Sequence, residues 1–157
     1  MGGLDSRRRL GNHARVGDYE ASVRTVDDGS IEEPGPLVVE FRNSRTGKCQ
    51  EFSMDEFTGG HLLHLAVAGC VHNDLFREAA VLGITLTRVE VSADGGFHGD
   101  PCTTAGIQYT IHVEGQASRS ALDALVARVE RIAEVPSAIR LGGEVRLTRA
   151  SVVSTLD

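Results

Sequence analysis

The residues best suited to chemistry lie in one apolar stretch, HLLHLAVAGCVHNDLFREAAVLGI, which begins at His61. It contains a cysteine, Cys70, followed four positions later by Asp74 and seven positions later by Arg77. Residues at these spacings share one face of an α-helix. A nearby guanidinium favours a thiolate, whereas a carboxylate opposes it or holds the arginine in place. The pattern indicates a reactive thiol, and its alternative is a cysteine that packs as a small apolar side chain.

Three histidines in the same stretch raise the alternative of a metal site. An advance of about 100° per residue puts Cys70 about 180° from His61, whereas His64 and His72 lie on the side of His61. His64 and His72 are also roughly 12 Å apart along the axis, too far for ligands of one zinc ion. A site built by His61 and His64 with His98 of a later loop remains the weakest alternative. We predict no metal and no other cofactor.

The surrounding sequence predicts the elements that hold this stretch. Three strands are followed by a long helix, two strands, an amphipathic helix and a last strand. Gly83 is typical of the residue just after a helix. Residues 94–96 are typical of a turn, and Pro136 is typical of the end of a helix. Runs of strands separated by helices favour an α+β fold over alternating βαβ units. The predicted elements cover residues 19–28, 37–43, 49–54, 59–82, 85–97, 106–115, 118–135 and 144–153.

Composition restricts the class of protein. The chain has 157 residues, which suits one domain; we predict a disordered tail at 1–15 and a single domain at 16–157. The net charge of -6 argues against a nucleic-acid partner, which would require clustered basic residues. The sequence has no apolar run that could span a membrane and no signal-peptide core, so we expect a cytoplasmic protein without a membrane partner. Three cysteines argue against a disulfide framework.

The predicted helix also bears on the oligomeric state. Between Leu62 and Val71 only His64 is strongly polar. A helix that is apolar on all sides must be buried on all sides, and a chain of this size has few other elements to cover it. The sequence therefore predicts a homodimer in which the two subunits cover each other's long helices.

The segments LLHLAVAGCVHNDL and AAVLGITLTRVEVSADG, in this order of elements, resemble the OsmC/Ohr family over residues 19–153. The resemblance implies an α+β fold and an intertwined homodimer with the long helices at its centre. It also implies thiol chemistry, because many members reduce organic hydroperoxides. A first cysteine on the central helix becomes a sulfenic acid, a second cysteine resolves it to a disulfide, and an arginine and a glutamate assist.

Carried over to this chain, the resemblance is partial. Cys70 corresponds to the first cysteine, and Arg24 is the candidate for the assisting arginine. The position of the glutamate is Gly60, and that of the second cysteine, immediately before Pro136, is Val135. Without a second thiol, a sulfenic acid must be reduced by an external thiol or be over-oxidised.

The sequence does not identify either of the other two cysteines as a replacement for the missing second cysteine. A disulfide requires Cα atoms within about 7 Å of each other. Nothing in the sequence places Cys49, at the start of a strand, or Cys102, in a Gly/Pro loop, so close to Cys70.

Two functions of different classes follow. The first is a single-cysteine thiol peroxidase that reduces organic hydroperoxides, or reacts with another small electrophile, and uses an external thiol. Its candidate residues are Cys70, Arg24, Asp74 and Arg77. The second is a catalytically inactive protein of the same family that binds an apolar small molecule in the dimer cleft.

Overall fold

A computed structural model describes residues 20–25, 37–42, 46–54 and 58–152. The chain divides into two compact units, with the boundary between residues 57 and 58. Antiparallel strands and helices confirm the predicted α+β class. The tail predicted at 1–15 lies outside the described residues, and the single domain at 16–157 stays a prediction. The elements are β1 (Glu20–Thr25), β2 (Leu37–Arg42), β3 (Cys49–Met54), α1 (Gly59–Leu82), β4 (Leu86–His98), β5 (Thr103–Gly115), α2 (Arg119–Ile132) and α3 (Glu134–Arg140).

The first unit contains the predicted meander. Strands β1, β2 and β3 form an antiparallel sheet in chain order, with Val23 opposite Val39 and Val39 opposite Phe52. The rings of Phe41 and Phe52 stack diagonally across β2 and β3, with centroids 5.6 Å apart. This cross-strand pair stabilises the register of the two strands.

Helix α1 has the predicted bounds because both of its ends are capped. The side chain of Thr58 accepts a hydrogen bond from the backbone N–H of His61 at the start. At the end, Gly83 has a φ of 67°, and the N–H of Ile84 reaches the carbonyl of Ala79 at 2.9 Å. The left-handed conformation that closes this end is one in which glycine is least strained.

Strands β4 and β5 form an antiparallel hairpin that is longer than predicted. Pairing continues through Asp94, Gly95 and Gly96, so the turn predicted at 94–96 is wrong, and only residues 99–102 connect the strands. A register shift between Gly96 and Phe97 marks an irregularity in the ladder. Glycines in a strand allow such bulges, which is why a turn-like sequence continues as sheet here.

The helix predicted at 118–135 is interrupted earlier than expected. Ser118 caps α2, which ends before Ala133, and α3 begins at the next residue. Pro136 is therefore the third residue of α3 and does not stop a helix, contrary to the prediction. In the first turn of a helix the N–H that proline lacks has no intrahelical acceptor, so proline is tolerated there.

The hydrophobic core lies between α1 and α2, against the inner face of the β4–β5 hairpin. All of its members are almost inaccessible to solvent, and partly buried residues, including Cys70 and Tyr109, pack around them. The alternation of exposed and half-buried residues along β4 and β5 explains why one face of the hairpin can cover a core. The core residues are Val71, Leu75, Ala79, Leu125, Val129 and Ala133.

The strand predicted at 144–153 is wrong for the described residues 144–152, which form no strand. Its apolar side chains are nearly fully exposed, with Val145 at 95% and Leu147 at 85%. A strand requires a neighbour that accepts and donates its backbone hydrogen bonds, and the described part of this chain offers none to the segment.

Within the second unit, only one side of α1 is covered. Val67, Val71 and Leu75 are buried, whereas Leu65 is 63% exposed and Phe76 47% exposed. The first half of the helix is apolar on both sides, as its sequence shows, but its burial within this unit is one-sided. No helix in the described residues is long and apolar enough to cross a bilayer.

Candidate functional site

Cys70 is a free, half-buried thiol in the middle of α1. Its Sγ lies 4.0 Å from Oδ2 of Asp74, toward which the thiol donates. The contact arises directly from the helix, because residues four positions apart stand one turn above each other. The partly buried sulfur therefore has a carboxylate oxygen as its polar neighbour.

Arg77 joins the same group through Asp74. Its Nη1 lies 2.9 Å from Oδ1 of Asp74, so the two carboxylate oxygens have different neighbours. Asp74 is only 4% exposed, whereas the Arg77 side chain is 43% exposed. The arrangement matches one of the alternatives for Asp74, a carboxylate that holds the arginine in place.

Two further charged residues, which sequence analysis missed, complete the cluster. Glu78 is 5% exposed, and its two oxygens bind different arginines: Oε1 accepts from Nε of Arg77 at 3.2 Å, and Oε2 accepts from Nε of Arg128. We call Asp74, Arg77, Glu78 and Arg128 the ion-pair chain. The i,i+4 spacing of Asp74 and Glu78 was visible in the sequence, but Arg128 is 50 residues away on α2.

The surroundings shift the pKa values of the two carboxyl groups in the ion-pair chain, Asp74 and Glu78, in opposite directions. Burial, its largest cause, raises the pKa of Asp74 against the lowering effect of Arg77, and the negative charges of Glu134 and Glu78 add to the increase. The hydrogen bond from Arg128 lowers the pKa of Glu78, against the effect of burial, and Arg77 lowers it further. Such a divergence distinguishes the carboxyl group whose protonated form is favoured by its surroundings, Asp74, from the one whose ionised form is favoured, Glu78. Asp74 is the proton-exchanging candidate.

The histidines at the start of α1 have local partners. Nδ1 of His61 lies 2.8 Å from Oγ1 of Thr58, and Nδ1 of His64 donates to the carbonyl of Gly60 at 2.6 Å. In the described residues, no three histidine, cysteine, aspartate or glutamate side chains converge as a metal site requires. At Gly60, the position that the resemblance assigns to a glutamate, an added Cβ would meet only ordinary contacts, the nearest at 3.6 Å from Phe97.

The remaining predicted residues are placed as follows. Arg24 lies on β1, where its backbone pairs with Val38, and its side chain lies outside the described residues. Val135 is the second residue of α3. Cys49 and Cys102 are exposed and free, so neither is paired with the thiol of α1.

A cavity of about 290 Å³ lies beside the turn of α1 that precedes the cysteine. Its walls come from α1, β5 and α3 and are mostly apolar. Arg140 contributes the only charge to the lining, and among the described residues it makes no ion pair. The cavity is therefore lined mainly by apolar groups, and Cys70 is not among its lining residues. Its lining residues are Val67, Gly106, Ile107, Tyr109, Pro136, Ile139 and Arg140.

Comparison with known proteins gives a consistent result. The profile of the family described as OsmC-like protein matches residues 52–148. Among solved structures, an OsmC-like protein from Mycoplasma pneumoniae has a TM-score of 0.57 at 10% identity and covers 78% of this chain and 86% of its own. An organic hydroperoxide resistance protein from Legionella pneumophila has a TM-score of 0.51 at 16% identity, covering 78% of this chain and 88% of its own.

A third structure, an OsmC-like protein from Vibrio cholerae, has a TM-score of 0.52 at 10% identity and covers 76% of this chain and 92% of its own. At these identities the likeness establishes the fold alone. No curated protein sequence matches the chain. The resemblance found in the sequence is confirmed by the family profile and by the fold.

Proposed function

The chain belongs to the OsmC family, and we propose that it is a single-cysteine thiol peroxidase that reduces organic hydroperoxides. The observation that carries the proposal is the 4.0 Å approach of Cys70 Sγ to a buried carboxylate oxygen of Asp74, whose pKa is raised by burial. A thiol next to a group that can take up and return a proton can make the proton transfers that peroxide reduction requires. The description of the Legionella pneumophila structure as an organic hydroperoxide resistance protein supports this class of substrate.

The first step transfers one oxygen to sulfur. Asp74, as a carboxylate, accepts the thiol proton of Cys70, and the thiolate attacks the terminal oxygen of the hydroperoxide. The S–O bond forms, the O–O bond breaks and the alkoxide departs with the bonding electrons. Asp74 then gives its proton to the alkoxide, which leaves as an alcohol. Sulfur is oxidised to a sulfenic acid, the peroxide is reduced, and the carboxylate is regenerated.

Two external thiols complete the cycle. The first attacks the sulfenic sulfur, which yields a mixed disulfide and water; the second releases a small disulfide and restores the thiol of Cys70. This route replaces a resolving cysteine, because the corresponding residue is Val135. We therefore propose a cytoplasmic location, where reduced small thiols are present.

The two arginines have different proposed roles. Arg77 holds one oxygen of Asp74 and leaves the other directed at the thiol, as the 2.9 Å ion pair supports. Arg24 is proposed as the cation that binds the peroxide, and this role follows from the family resemblance alone.

We also propose that the protein acts as a homodimer. One face of α1 is uncovered in the described chain, with Leu65 and Phe76 exposed, and the apolar side chains of residues 144–152 are exposed as well. Monomeric proteins rarely leave so many large apolar side chains in contact with water. A second copy of the chain would cover both surfaces.

The second candidate function is binding of an apolar small molecule without catalysis. The cavity between α1, β5 and α3 favours it, since its walls are mostly apolar and Val67 lies one turn before the cysteine. In this case Cys70 is a packing residue, and the cavity alone carries the function.

Hydroperoxide turnover separates the two candidates. Cumene hydroperoxide and dithiothreitol are mixed with the wild-type protein, with Cys70→Ser and, as a matched control, with Cys102→Ser, which removes an exposed thiol. We expect turnover in the wild type and in the control and none in Cys70→Ser. Turnover that survives Cys70→Ser contradicts the assignment of the thiol. Absence of turnover in all three, with saturable binding of an apolar fluorescent probe, favours the second candidate.

A further inference from the structure

The ion-pair chain connects the thiol-bearing helix to α2 through a fixed order of contacts. Nε of Arg128 donates to Oε2 of Glu78, whose Oε1 accepts from Nε of Arg77 at 3.2 Å. Nη1 of Arg77 then lies 2.9 Å from Oδ1 of Asp74. Asp74, Arg77 and Glu78 each use separate atoms for their two neighbours, and Arg128 ends the series with its single contact to Glu78. The orientation of one group therefore constrains the next.

The last contact of this order is the one that matters for chemistry. Asp74 has one oxygen on Arg77 and the other 4.0 Å from the sulfur of Cys70. If the guanidinium of Arg77 moved, the carboxylate would rotate with it and the second oxygen would lose its aim at the thiol. Glu78 binds Arg77 through a second hydrogen bond, and Arg128 of α2 binds Glu78 from outside the helix.

Burial shows which members have freedom to move. Asp74 and Glu78 are almost fully buried, whereas the two arginine side chains are nearly half exposed. An exposed arginine samples many rotamers unless a partner orders it, and ordering a long side chain costs conformational entropy. Glu78, shared between both arginines, supplies that order beneath the surface.

We infer that Glu78 and Arg128 are positioning residues for the thiol chemistry of Cys70, acting through Arg77 on the carboxylate of Asp74. The inference rests on the proposed function, in which Cys70 is the reacting thiol and Asp74 is its proton acceptor. Neither residue touches the sulfur. Both decide where the proton acceptor stands and how strongly it binds its proton.

The charged groups around Asp74 set the direction of the effect. Arg77 and Glu78 face it from α1, Glu134 faces it from α3, and Arg128 of α2 acts through Glu78. The hairpin contributes apolar side chains and Tyr109 to the core against which α1 packs. Removal of a negative group from this set must lower the pKa of Asp74. Removal of a positive group must raise it.

Loss of the Glu78 charge leaves Asp74 as the one carboxylate in a salt bridge with Arg77 among the described residues, and Glu134 acts on Arg77 only through its charge. The ionised form of Asp74 then gains stabilisation, and its proton is released at lower pH. Loss of the Arg128 charge leaves Glu78 to draw Arg77 toward itself. The ionised form of Asp74 then loses stabilisation, and its proton is released at higher pH. A purely structural role for the two residues predicts no such opposition.

The experiment compares Glu78→Gln and Arg128→Gln with Arg128→Lys, which keeps the charge. The matched control is Arg119→Gln, which removes an exposed ion pair with Asp123 from the same helix as Arg128. Two readouts are recorded for each protein: the titration of the Asp74 carboxyl by carbon NMR, and the pH profile of Cys70 alkylation by iodoacetamide, followed by mass spectrometry.

We expect the Asp74 midpoint to fall by on the order of 0.5–1 pH unit in Glu78→Gln and to rise by a smaller amount in Arg128→Gln. The alkylation midpoint of Cys70 should move in the same directions, and Arg128→Lys and Arg119→Gln should match the wild type. Equal midpoints in all proteins, or shifts of the same sign in Glu78→Gln and Arg128→Gln, overturn the inference.

The two proposals fail in different ways. Opposite shifts of the Asp74 titration without any hydroperoxide turnover support the positioning role and contradict the peroxidase function. If the wild type turns over hydroperoxide but the Asp74 titration is unchanged in Glu78→Gln and Arg128→Gln, the peroxidase function is supported and the positioning role is contradicted. If Arg128→Gln does not fold, the sign of the shift in Glu78→Gln alone decides, because a shift to higher pH or none contradicts the inference.

Discussion

The sulfur of Cys70 and the Oδ2 atom of Asp74 are 4.0 Å apart on successive turns of α1. The thiol thus contacts one oxygen of a buried carboxylate, and the guanidinium of Arg77 pairs with the other oxygen. In the proposed mechanism this carboxylate is the proton acceptor of the thiol, whereas an arginine in contact would stabilise the thiolate directly.

Substitution of the proton acceptor is the most direct prediction. Asp74→Asn keeps the shape of the side chain but cannot accept the thiol proton, so we expect the second-order rate of cumene hydroperoxide reduction to fall about 100-fold. Stopped-flow measurements with dithiothreitol as reductant determine the rate. Asp123→Asn, on the exposed side of α2, is the control and should retain the wild-type rate. A rate for Asp74→Asn within a factor of two of the wild type contradicts the proposed role.

The opposite pKa shifts of two carboxyl groups predict opposite effects of pH on stability. The pKa of Asp74 is raised above its usual 3.8, chiefly by burial, so ionisation of Asp74 costs stability as pH rises from 3.8 through the folded-state value. The pKa of Glu78 is lowered from its usual 4.5, chiefly by Arg128, so its contribution is present above 4.5 and is lost as pH falls through the folded-state value.

Chemical denaturation at a series of pH values between 7 and 3 tests this relation. As pH falls, the free energy of unfolding of the wild type should improve relative to Asp74→Asn and decline relative to Glu78→Gln. The same trend for both variants would show that the two carboxyl groups are not shifted in opposite directions.

Two adjacent glycines of β4 should respond very differently to alanine. At Gly95, where φ is 155°, a Cβ would overlap the carbonyl oxygen of Gly106 and stand 2.7 Å from Nε2 of His64. We expect Gly95→Ala to lower the free energy of unfolding by about 2 kcal/mol or more. Gly96→Ala is the control, because nothing lies within 4 Å of its Cβ, and it should change stability by about 0.5 kcal/mol or less. Equal values for the two variants contradict the close approach at Gly95.

The uncovered face of α1 predicts a variant that changes the oligomeric state. Phe76→Asp places a charge on a side chain that is 47% exposed in the chain and that we assign to the dimer interface. Burial of an unpaired charge is unfavourable, so we expect the mass from sedimentation equilibrium to fall from that of a dimer to that of a monomer. Ala124→Asp, at an exposed position of α2, should remain dimeric. A monomeric wild type at micromolar concentration contradicts the proposed dimer.

Much of the site could be predicted because it is local in the chain. The cap at Thr58 and the glycine at Gly83 define α1, and the helix repeat alone brings Cys70 and Asp74 onto one face. Arg77 follows for the same reason, since contacts three and four positions apart depend on helix geometry and not on the rest of the fold.

Contacts between distant segments, in contrast, were decided by the tertiary structure. Arg128 meets Glu78 only because α2 packs along α1, and no spacing in the sequence indicates which arginine will stand there. The break before Pro136 was likewise not predicted, because a proline fits both the end of one helix and the first turn of the next. Residues 144–152 have the alternation of a strand but lack a neighbour in the described chain. The sequence by itself thus determined the helix and its thiol–carboxylate pair through short-range geometry, whereas packing between distant elements decided which charges order that pair, because such contacts depend on the whole fold.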